Sequence, residues 1–318
     1  MIGLGLVVLA GVSVLGLRAL AARYDNSVGK AALLDPAARA TGPNANAPSG
    51  PLNYLLIGSD KRSSNASMGQ RSDTIMILHI PAGRQRAYLV SIPRDLLVPI
   101  PPEPTTNYPG GSDKVNAAFG YGGANLLSAT ISKLTGVRFD GAAIIDFSGF
   151  ARVVNLVGGI QVCVEQQITS AHTGRTFAVG CQRMNGRETL DYARQRYDLP
   201  NGDFDRQRHQ QQILKGIADK VSSAGVLANP IKLDQLVRAI AGTLTVDTNG
   251  ADLDNVVLAL RNLGSDDLTG VAVPSHDENI DGTSYVVLDP QASSLFRAIR
   301  GAMLARWVAA NPTYVNHL

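Results

Sequence analysis

Short apolar runs bounded by turn residues predict several strands in the first third of the chain. Residues 53–57 form such a run, ending at Gly58, and are typical of a buried strand that opens into a loop. Residues 74–80 and 86–92 are two further β-rich runs whose short, Pro- and Gly-containing separation favours a hairpin. Pro93 follows the second run, and proline ends a strand because it lacks the backbone donor.

Longer segments with helical periodicity alternate with these strands. Residues 206–221 place Ile213, Leu214 and Ile217 on one face, and residues 185–193 begin with Asn185 as N-cap and Glu188 at the capping-box position. The remaining predicted helices cover 116–134, the segment after Asp146 through Val157, 231–244, 253–263 and 291–310, and the remaining predicted strands cover 142–146, 160–164, 271–274 and 284–288. Because helices and strands interleave and one strand pair is antiparallel, we predict an α/β fold with a mixed sheet.

The N-terminal segment predicts a membrane anchor over residues 1–24. No charged residue occurs between Ile2 and Leu17, and about twenty apolar residues span a bilayer as a helix. A cleaved signal peptide and a buried helix are the alternatives, and no basic residue precedes the apolar run to fix its orientation. Residues 25–51 are rich in Ala, Pro, Gly and Asn and predict a linker between the anchor and a domain over 52–315.

Composition and charge exclude some classes of function. The chain has 318 residues, 45% of them hydrophobic, and a net charge of only +3, so nothing indicates non-specific nucleic-acid binding. No Walker A loop is present, which argues against ATP or GTP as phosphate donor. Cys163 and Cys181 lack metal-ligand spacing; we expect a disulfide if the domain is exported and two buried thiols if it is not.

An arginine cluster is the strongest chemical signal. Arg194, Arg196, Arg206 and Arg208 lie within about fifteen residues, and guanidinium groups present paired donors that match phosphate oxygens. Arg206 and Gln210 share one helical face, whereas Arg194 and Arg196 can share a target only if the backbone there is not helical. The alternative is a set of surface ion pairs with the neighbouring carboxylates Glu188, Asp191, Asp198, Asp203 and Asp205.

Polar residues also gather at the predicted strand ends. Asp60 follows the first strand, Arg71 and Asp73 precede the second, and Arg94 follows the third. In an antiparallel pair the start of one strand lies beside the end of the next, so Arg71 and Asp73 are expected near Arg94. Two carboxylates close together, here those of Asp60 and Asp73, suit a Mg²⁺ ion, because Mg²⁺ in proteins is bound by one or two carboxylates together with phosphate oxygens of the substrate.

An ordered series of motifs carries a family resemblance. They are residues 55–62 (LLIGSDKR), 71–74 (RSDT), 90–95 (VSIPRD), 114–123 (KVNAAFGYGG), 147–159, 184–186 (MNG), 193–196 (ARQR) and 202–211 (GDFDRQRHQQ). In this order they resemble the LytR-CpsA-Psr family over about residues 52–222. The Ala-, Gly- and Arg-rich composition is typical of a GC-rich genome and favours an actinobacterial member.

The resemblance implies a membrane-anchored, extracytoplasmic α/β/α sandwich. Members transfer a glycopolymer phosphate from a polyprenyl-diphosphate carrier to peptidoglycan, and an apolar tunnel receives the lipid. Carried over by motif, the diphosphate-binding residues are Arg71, Arg94, Arg194, Arg196, Arg206 and Gln210, and the Mg²⁺ ligands are Asp60 and Asp73.

The expected catalytic residues are Asp73, Arg94, Asp95, Arg194, Arg196 and Arg206, with Asp73 or Asp95 as candidate base for a sugar hydroxyl. Leu96 and Leu97 depart from the family pattern at the rim of the site, and His209 stands where a more basic residue is usual. The open alternatives are a polyprenyl-diphosphate hydrolase and a non-catalytic polyprenyl-phosphate binding or regulatory module.

Overall fold

The computed structural model describes residues 29–41, 50–59, 72–196, 199–223, 244–251, 263–316 and 318. Within them the strands are β1 (Gly29–Lys30), β2 (Leu52–Ser59), β3 (Ser72–Ile80), β4 (Ala87–Ser91), β5 (Leu97–Ile100), β6 (Gly111–Lys114), β7 (Gly141–Asp146), β8 (Ile160–Val164), β9 (Ile168–Thr169), β10 (Thr176–Phe177), β11 (Gly180–Met184), β12 (Leu244–Asp247), β13 (Leu268–Ala272), β14 (Ser275–Ile280), β15 (Thr283–Leu288) and β16 (Val315–Asn316). The α-helices are α1 (Val115–Thr135), α2 (Phe147–Leu156), α3 (Gly186–Ala193), α4 (Asp203–Ser223), α5 (Ala292–Arg300) and α6 (Leu304–Ala310).

A mixed sheet forms the centre of the molecule. Eight strands are ordered β1-β12-β7-β2-β3-β4-β13-β16. The β2–β3 and β3–β4 pairs are antiparallel, which confirms the predicted hairpin, whereas β2–β7 and β4–β13 are parallel. Strand β4 ends at Ser91, two residues before Pro93, as the position of the proline predicts.

One face of this sheet packs against α1, α5 and α6. Alternate side chains of the central strands, such as Leu55 and Ile77, are buried there with Leu127 and Ile131 of α1. The cluster also holds Leu295 and Ile299 of α5 and Leu304 and Trp307 of α6. This face therefore contains the larger part of the hydrophobic core.

The opposite face carries α2, α3 and α4. These helices share a second cluster with β8, including Val154, Ile160, Tyr192 and Ile213. Helices thus cover both faces, and the α/β/α layering implied by the family resemblance is present in the described residues.

Two helical segments differ from the prediction. Helix α1 is kinked at Gly122 and Gly123, and Gly123 adopts φ 65° and ψ −158°, a region open essentially to glycine. The single helix predicted over 291–310 is wrong: α5 and α6 are separated by a turn in which Ala302 has φ 54°. The break lets Trp307 Nε1 donate to Ser294 Oγ at 2.8 Å, so that both helices bury their apolar faces in the same core.

The two cysteines form a disulfide. Cys163 and Cys181 are cross-strand partners in the antiparallel β8–β11 pair, and both are exposed. The disulfide alternative stated from the sequence is therefore confirmed, and the bridge closes the segment that contains β9 and β10.

The predicted linker requires a correction over residues 29–41. Strand β1 pairs with β12 in parallel, and Leu33, Leu34 and Ala38 are buried. The amides of Leu33 and Leu34 donate to Asp247 Oδ2 at 2.9 and 3.0 Å. These residues belong to the folded domain because their apolar side chains fill its core, a contribution that the Ala- and Pro-rich composition conceals.

Several expectations fall outside the described residues. They are the anchor over 1–24, the helix over 231–244 except Leu244, which begins β12, and most of the helix over 253–263. Among the helices of the described residues, none combines the length and the apolar character needed to cross a membrane.

Candidate functional site

A cavity of about 360 Å³ lies between the central sheet and helices α2, α3 and α4. Its walls are largely apolar, as in most small-molecule sites. The apolar lining consists of Leu56, Ile57, Met76, Ala143, Ile145, Phe147, Phe150, Leu190, Ala193, Ile213, Leu214 and Leu244. Most of the sheet residues in this lining, such as Leu56 and Met76, lie outside the main core cluster, and the helices supply the facing wall.

Polar residues line the same cavity, and most of them are residues singled out from the sequence. The structure brings together Asp73, Arg94, Arg194, Arg196, Arg206 and Gln210, which four separate stretches of backbone contribute. Asp60 and Arg71, the other two expected members, lie outside the described residues. The expected diphosphate-binding residues and Asp73 therefore converge wherever the structure describes them, whereas Asp95, expected among the catalytic residues, does not line the cavity.

Arg94 is surrounded by carboxylates. Its Nη1 contacts Asp73 Oδ1 at 2.5 Å, and its Nε lies 3.6 Å from Asp95 Oδ2 and 3.9 Å from Asp203 Oδ1. Burial lowers the pKa of the Arg94 guanidinium, but the charges of Asp73, Asp95 and Asp203 outweigh that effect, and the pKa is raised. Arg94 is consequently held in its charged form at the start of the loop that follows β4.

Arg206 is the most deeply buried of these arginines, at 4% exposed. Its guanidinium forms an ion pair with Asp203, one helical turn earlier, and Nη2 donates to the backbone carbonyl of Asp73 at 3.4 Å. Burial lowers the pKa of Arg206, and the positive charges of Arg94 and Arg196 lower it further. Three guanidinium groups are thus close enough to repel one another, which favours binding of an anion among them.

Two buried donors of this group have no hydrogen-bond acceptor among the described residues. They are Nε of Arg94 and Nε of Arg206. Buried donors in proteins are almost always satisfied, so Nε of Arg206 is a candidate to bind the oxygen of a ligand, whereas Nε of Arg94 faces the carboxylates of Asp95 and Asp203.

Arg194 and Arg196 reach the cavity because helix α3 ends before them. The helix stops at Ala193, Arg194 is its C-cap, and Arg196 lies beyond. The Arg194 guanidinium lies over the Phe147 ring, 5.0 Å from the centroid, a cation–π contact that fixes its position. The non-helical backbone required for a shared target is therefore present.

Helix α4 presents the other pair. Arg206 and Gln210 both line the cavity, as their spacing of four residues predicts, and Ile213 and Leu214 continue the same wall. Gln210 Nε2 donates to the Ala193 carbonyl at 3.4 Å, which links α4 to the end of α3. One face of α4 thus passes from polar to apolar along the cavity.

Asp95 has a different position from the other candidates. It is not among the described residues that line the cavity, and its Oδ1 accepts Lys114 Nζ at 3.3 Å. Asp95 lies on the outer side of Arg94. Its negative charge stabilises the guanidinium, but its carboxylate does not line the cavity.

The chemistry of the described acidic residues fits a magnesium site only in part. The Asp73 carboxylate supplies hard oxygen atoms beside the arginines, as Mg²⁺ requires when a phosphate completes its coordination. Ser59, the residue before Asp60, pairs with Ser72, the residue before Asp73. No group of three or more metal-binding side chains occurs in the part of the chain that the structure describes.

Sequence reasoning missed several contributors, among them Asp146, the last residue of β7, which lines the cavity. Asp203 was considered only as a surface ion-pair partner, yet it bridges Arg206 and Arg94; its signal was the spacing of three residues before Arg206. His172 was set aside because it lacks metal-ligand spacing, but it lines the cavity. Phe147 begins one of the family motifs, but its contact with Arg194 gave no signal because it joins segments far apart in the sequence.

Fold and site together define an α/β domain with an arginine-lined, partly apolar cavity suited to a phosphorylated amphipathic ligand. Residues 21–300 match the model of the LytR_cpsA_psr family, and the chain belongs to this family. The recognition made from its motifs is confirmed.

The chain is similar to many known proteins, among them two relatives and one solved structure. TagU of Enterococcus faecalis, named a polyisoprenyl-teichoic acid–peptidoglycan teichoic acid transferase, is 30% identical over 245 residues, covering 76% of each chain. LcpA of Corynebacterium glutamicum, named a cell wall biosynthesis protein, is 29% identical over 282 residues, covering 76% of this chain and 52% of LcpA. The chain thus spans about half the length of LcpA, and the source of this relative supports the expected actinobacterial origin.

The crystal structure of B. subtilis TagV matches with a TM-score of 0.66 at 25% identity, covering 81% of this chain and 99% of TagV. The mixed α/β architecture is therefore the architecture of known members.

Proposed function

We propose that the protein transfers a glycopolymer phosphate from a polyprenyl-diphosphate carrier to peptidoglycan, forming a phosphodiester link. The observation that carries this proposal is the convergence of four arginines and Asp73 at one apolar cavity. A donor of this kind has a charged diphosphate joined to a hydrocarbon chain. The arginines match the diphosphate, and the apolar walls match the first part of the prenyl chain.

Family membership and the named relatives support the reaction class. TagU is named as a transferase that acts on a polyisoprenyl-linked teichoic acid and peptidoglycan. We extend the glycopolymer donor and the peptidoglycan acceptor to this chain as its proposed partners. The disulfide is the kind of bond that persists outside the cytoplasm, which supports an extracytoplasmic domain held at the membrane by residues 1–24.

The proposed transfer makes one bond and breaks one. A hydroxyl oxygen of the acceptor bonds to the phosphorus that carries the glycan, and the bond from that phosphorus to the bridging oxygen of the diphosphate breaks. The polyprenyl phosphate leaves with the bridging oxygen, and the hydroxyl proton passes to a carboxylate. We favour Asp73 over Asp95 as that carboxylate, because only Asp73 lines the cavity.

The arginines would act by positioning and by electrostatic stabilisation. Arg94, Arg194, Arg196 and Arg206 are held around one point before substrate arrives, so little reorganisation is needed as charge develops on the leaving phosphate. Bound Mg²⁺ would add neutralising charge there, with Asp73 and Asp60 as its proposed ligands.

The decisive experiment incubates the full chain with a lipid-diphosphate-linked oligosaccharide and Mg²⁺, with and without peptidoglycan fragments, and identifies products by mass spectrometry. We expect a phosphodiester-linked conjugate only when the fragments are present. Release of a free glycan phosphate at the same rate without them would establish the hydrolase alternative. Bound lipid without turnover would establish the binding or regulatory module.

A matched pair of variants links the reaction to the cavity. Arg194→Ala removes a cavity guanidinium and should reduce conjugate formation at least about 100-fold, the loss typical of one preorganised stabilising group. Arg187→Ala, an exposed arginine at the start of the same helix, should retain the wild-type rate. Equal rates for both variants, each with a native circular dichroism spectrum, would contradict the assignment.

A further inference from the structure

A buried polar network joins the end of helix α3 to the turn after β9. The Asp191 carboxylate accepts hydrogen bonds from Ser170 Oγ at 2.7 Å, Thr173 Oγ1 at 2.5 Å and Gln195 Nε2 at 2.9 Å. Gln195 Oε1 in turn accepts the Ala171 amide at 3.2 Å. The two segments are therefore tied together through a single carboxylate and a single amide.

The central members of this network are hidden from solvent. Ser170 is 3%, Asp191 6% and Gln195 3% exposed. A buried carboxylate is costly unless its oxygens are hydrogen-bonded, and here both oxygens have donors. Such a network has one low-energy arrangement, because breaking any bond leaves a buried polar atom unsatisfied.

The network lies next to the cationic part of the cavity. Gln195 is flanked by Arg194 and Arg196, and its Nε2 also donates to the Asp191 carbonyl at 2.7 Å in the last turn of α3. On the other side, the His172 amide donates to Ser170 Oγ at 3.1 Å, and His172 itself lines the cavity. The Asp191 carboxylate accepts hydrogen bonds from Ser170, Thr173 and Gln195, none of which lines the cavity, and these bonds fix the backbone that carries three cavity residues.

We propose that Asp191 is a positioning residue that, through Ser170 and Gln195, holds Arg194, Arg196 and His172 around a bound prenyl diphosphate. The inference rests on the proposed function for the nature of the ligand. Asp191 acts on the ligand only through Arg194, Arg196 and His172, so its effect on affinity depends on their presence.

A second tether between the same two segments provides the control. Arg175 Nη1 contacts Glu188 Oε1 at 2.5 Å, but the Arg175 side chain is 45% exposed and neither residue lines the cavity. Exposed ion pairs contribute little. Arg175→Ala should consequently leave ligand affinity unchanged although it cuts a link between the same elements.

The test measures binding of geranyl diphosphate, in the presence of Mg²⁺, to the full chain by calorimetry. We expect Asp191→Ala to raise the Kd by about 10- to 100-fold, the effect of misplacing a binding group by about 1 Å. Asp191→Asn keeps an acceptor for Ser170 and Gln195 and offers a donor to Thr173, so it should stay within about threefold of wild type. Ile299→Val, a core change on the opposite face of the sheet, controls for a general loss of stability and should not alter the Kd.

A double-mutant cycle separates positioning from general damage. In an Arg194→Ala background, Asp191→Ala should add less than its effect in the wild-type chain, because one of the three groups that it positions is already gone. Full additivity, or a wild-type Kd for Asp191→Ala, would overturn the inference while leaving the proposed function intact. Failure of the wild-type chain to bind the probe would overturn both.

Discussion

Arg206 shows how a charged side chain can be held in a buried site. It is 4% exposed, and burial lowers its pKa, yet Asp203 and the Asp73 carbonyl supply acceptors that keep the charge tolerable. A guanidinium can serve these acceptors and still direct further N–H groups into the cavity, since it carries five donors in a fixed plane.

Arg206→Lys should therefore reduce transfer about 100-fold without unfolding the protein. Lysine keeps the charge but has one point of contact, so it cannot reach Asp203, the Asp73 carbonyl and a phosphate together. Arg208→Lys is the matched control: Arg208 pairs with Glu165 and Asp205 and does not line the cavity. Steady-state transfer rates for the two variants compare the effects directly, and similar losses in both would contradict a special role for Arg206.

His209, the residue after Arg208 in helix α4, shows that burial can also keep a titratable side chain neutral. It is 3% exposed and stacks on Tyr192 with ring centroids 4.2 Å apart. Burial, and after it the positive charge of Arg208, lower the pKa of His209 to about 4. The departure from a basic residue noted in the sequence thus corresponds to a position inside the core.

This depressed pKa predicts a pH dependence of stability. His209 binds a proton near pH 6.5 in the unfolded chain and only near pH 4 in the folded chain. Its contribution to the free energy of unfolding is therefore complete above pH 6.5 and is lost as the pH falls toward 4. His209→Phe keeps the stacked ring without the titration and should remove about 2 kcal/mol of the loss between pH 7 and pH 5. Urea unfolding at the two pH values measures the difference; an unchanged loss would show that His209 is not the titrating group.

At the scale of elements, the cavity depends on how closely α2 and α3 approach. A Cβ added to Gly186, the first residue of α3, would lie 2.0 Å from the carbonyl oxygen of Ala151 in α2. No side chain fits there, so glycine permits the contact that places Phe150 of α2 and Leu190 of α3 on the same cavity.

Gly186→Ala should separate these two helices and lower the free energy of unfolding by about 1–3 kcal/mol. Transfer should fall with it, since both helices line the cavity. Gly83→Ala, in an open turn with no neighbouring atom near the added Cβ, should change the unfolding free energy by less than about 0.5 kcal/mol. Denaturant unfolding of both variants is the measurement, and an unaffected Gly186→Ala would contradict the close packing.

At the scale of the whole molecule, the central sheet begins earlier in the chain than β2, its first long strand. Leu33 and Leu34 are buried in the main hydrophobic core, and Arg39 forms an ion pair with Asp247 at 3.0 Å. Residues 29–41 thus complete one edge of the domain, and their removal should lower the stability of the entire fold.

A chain that begins at residue 42 should be less stable than one that begins at Gly29 by about 3 kcal/mol, the contribution of two buried leucines after ordering costs. The longer chain is the control, because it retains β1, Leu33 and Leu34. Comparison of their urea midpoints checks the prediction. Coincident midpoints would place residues 29–41 outside the cooperative unit.

The sequence predicted the α/β class, the β3–β4 hairpin and the capped start of α3, because local periodicity and capping residues determine them. It did not predict β6, whose residues Gly111, Ser112 and Asp113 have low strand propensity and which exists through pairing with β5. For the site, motif order identified Arg94, Arg194 and Arg206, whereas Asp203 and His172 depend on tertiary proximity. Contacts between segments that are distant in the sequence cannot be predicted from the local pattern of residues.

The parallel pairing of β1 with β12 also has a mechanical consequence. A pulling force applied to the chain upstream of Gly29 would load these edge hydrogen bonds and the Asp247 contacts before it reached β2. The strand pair would be sheared along its length rather than peeled open one bond at a time. Tension on the chain would therefore act first at this margin of the sheet, on β1 and on β12, which contributes Leu244 to the cavity.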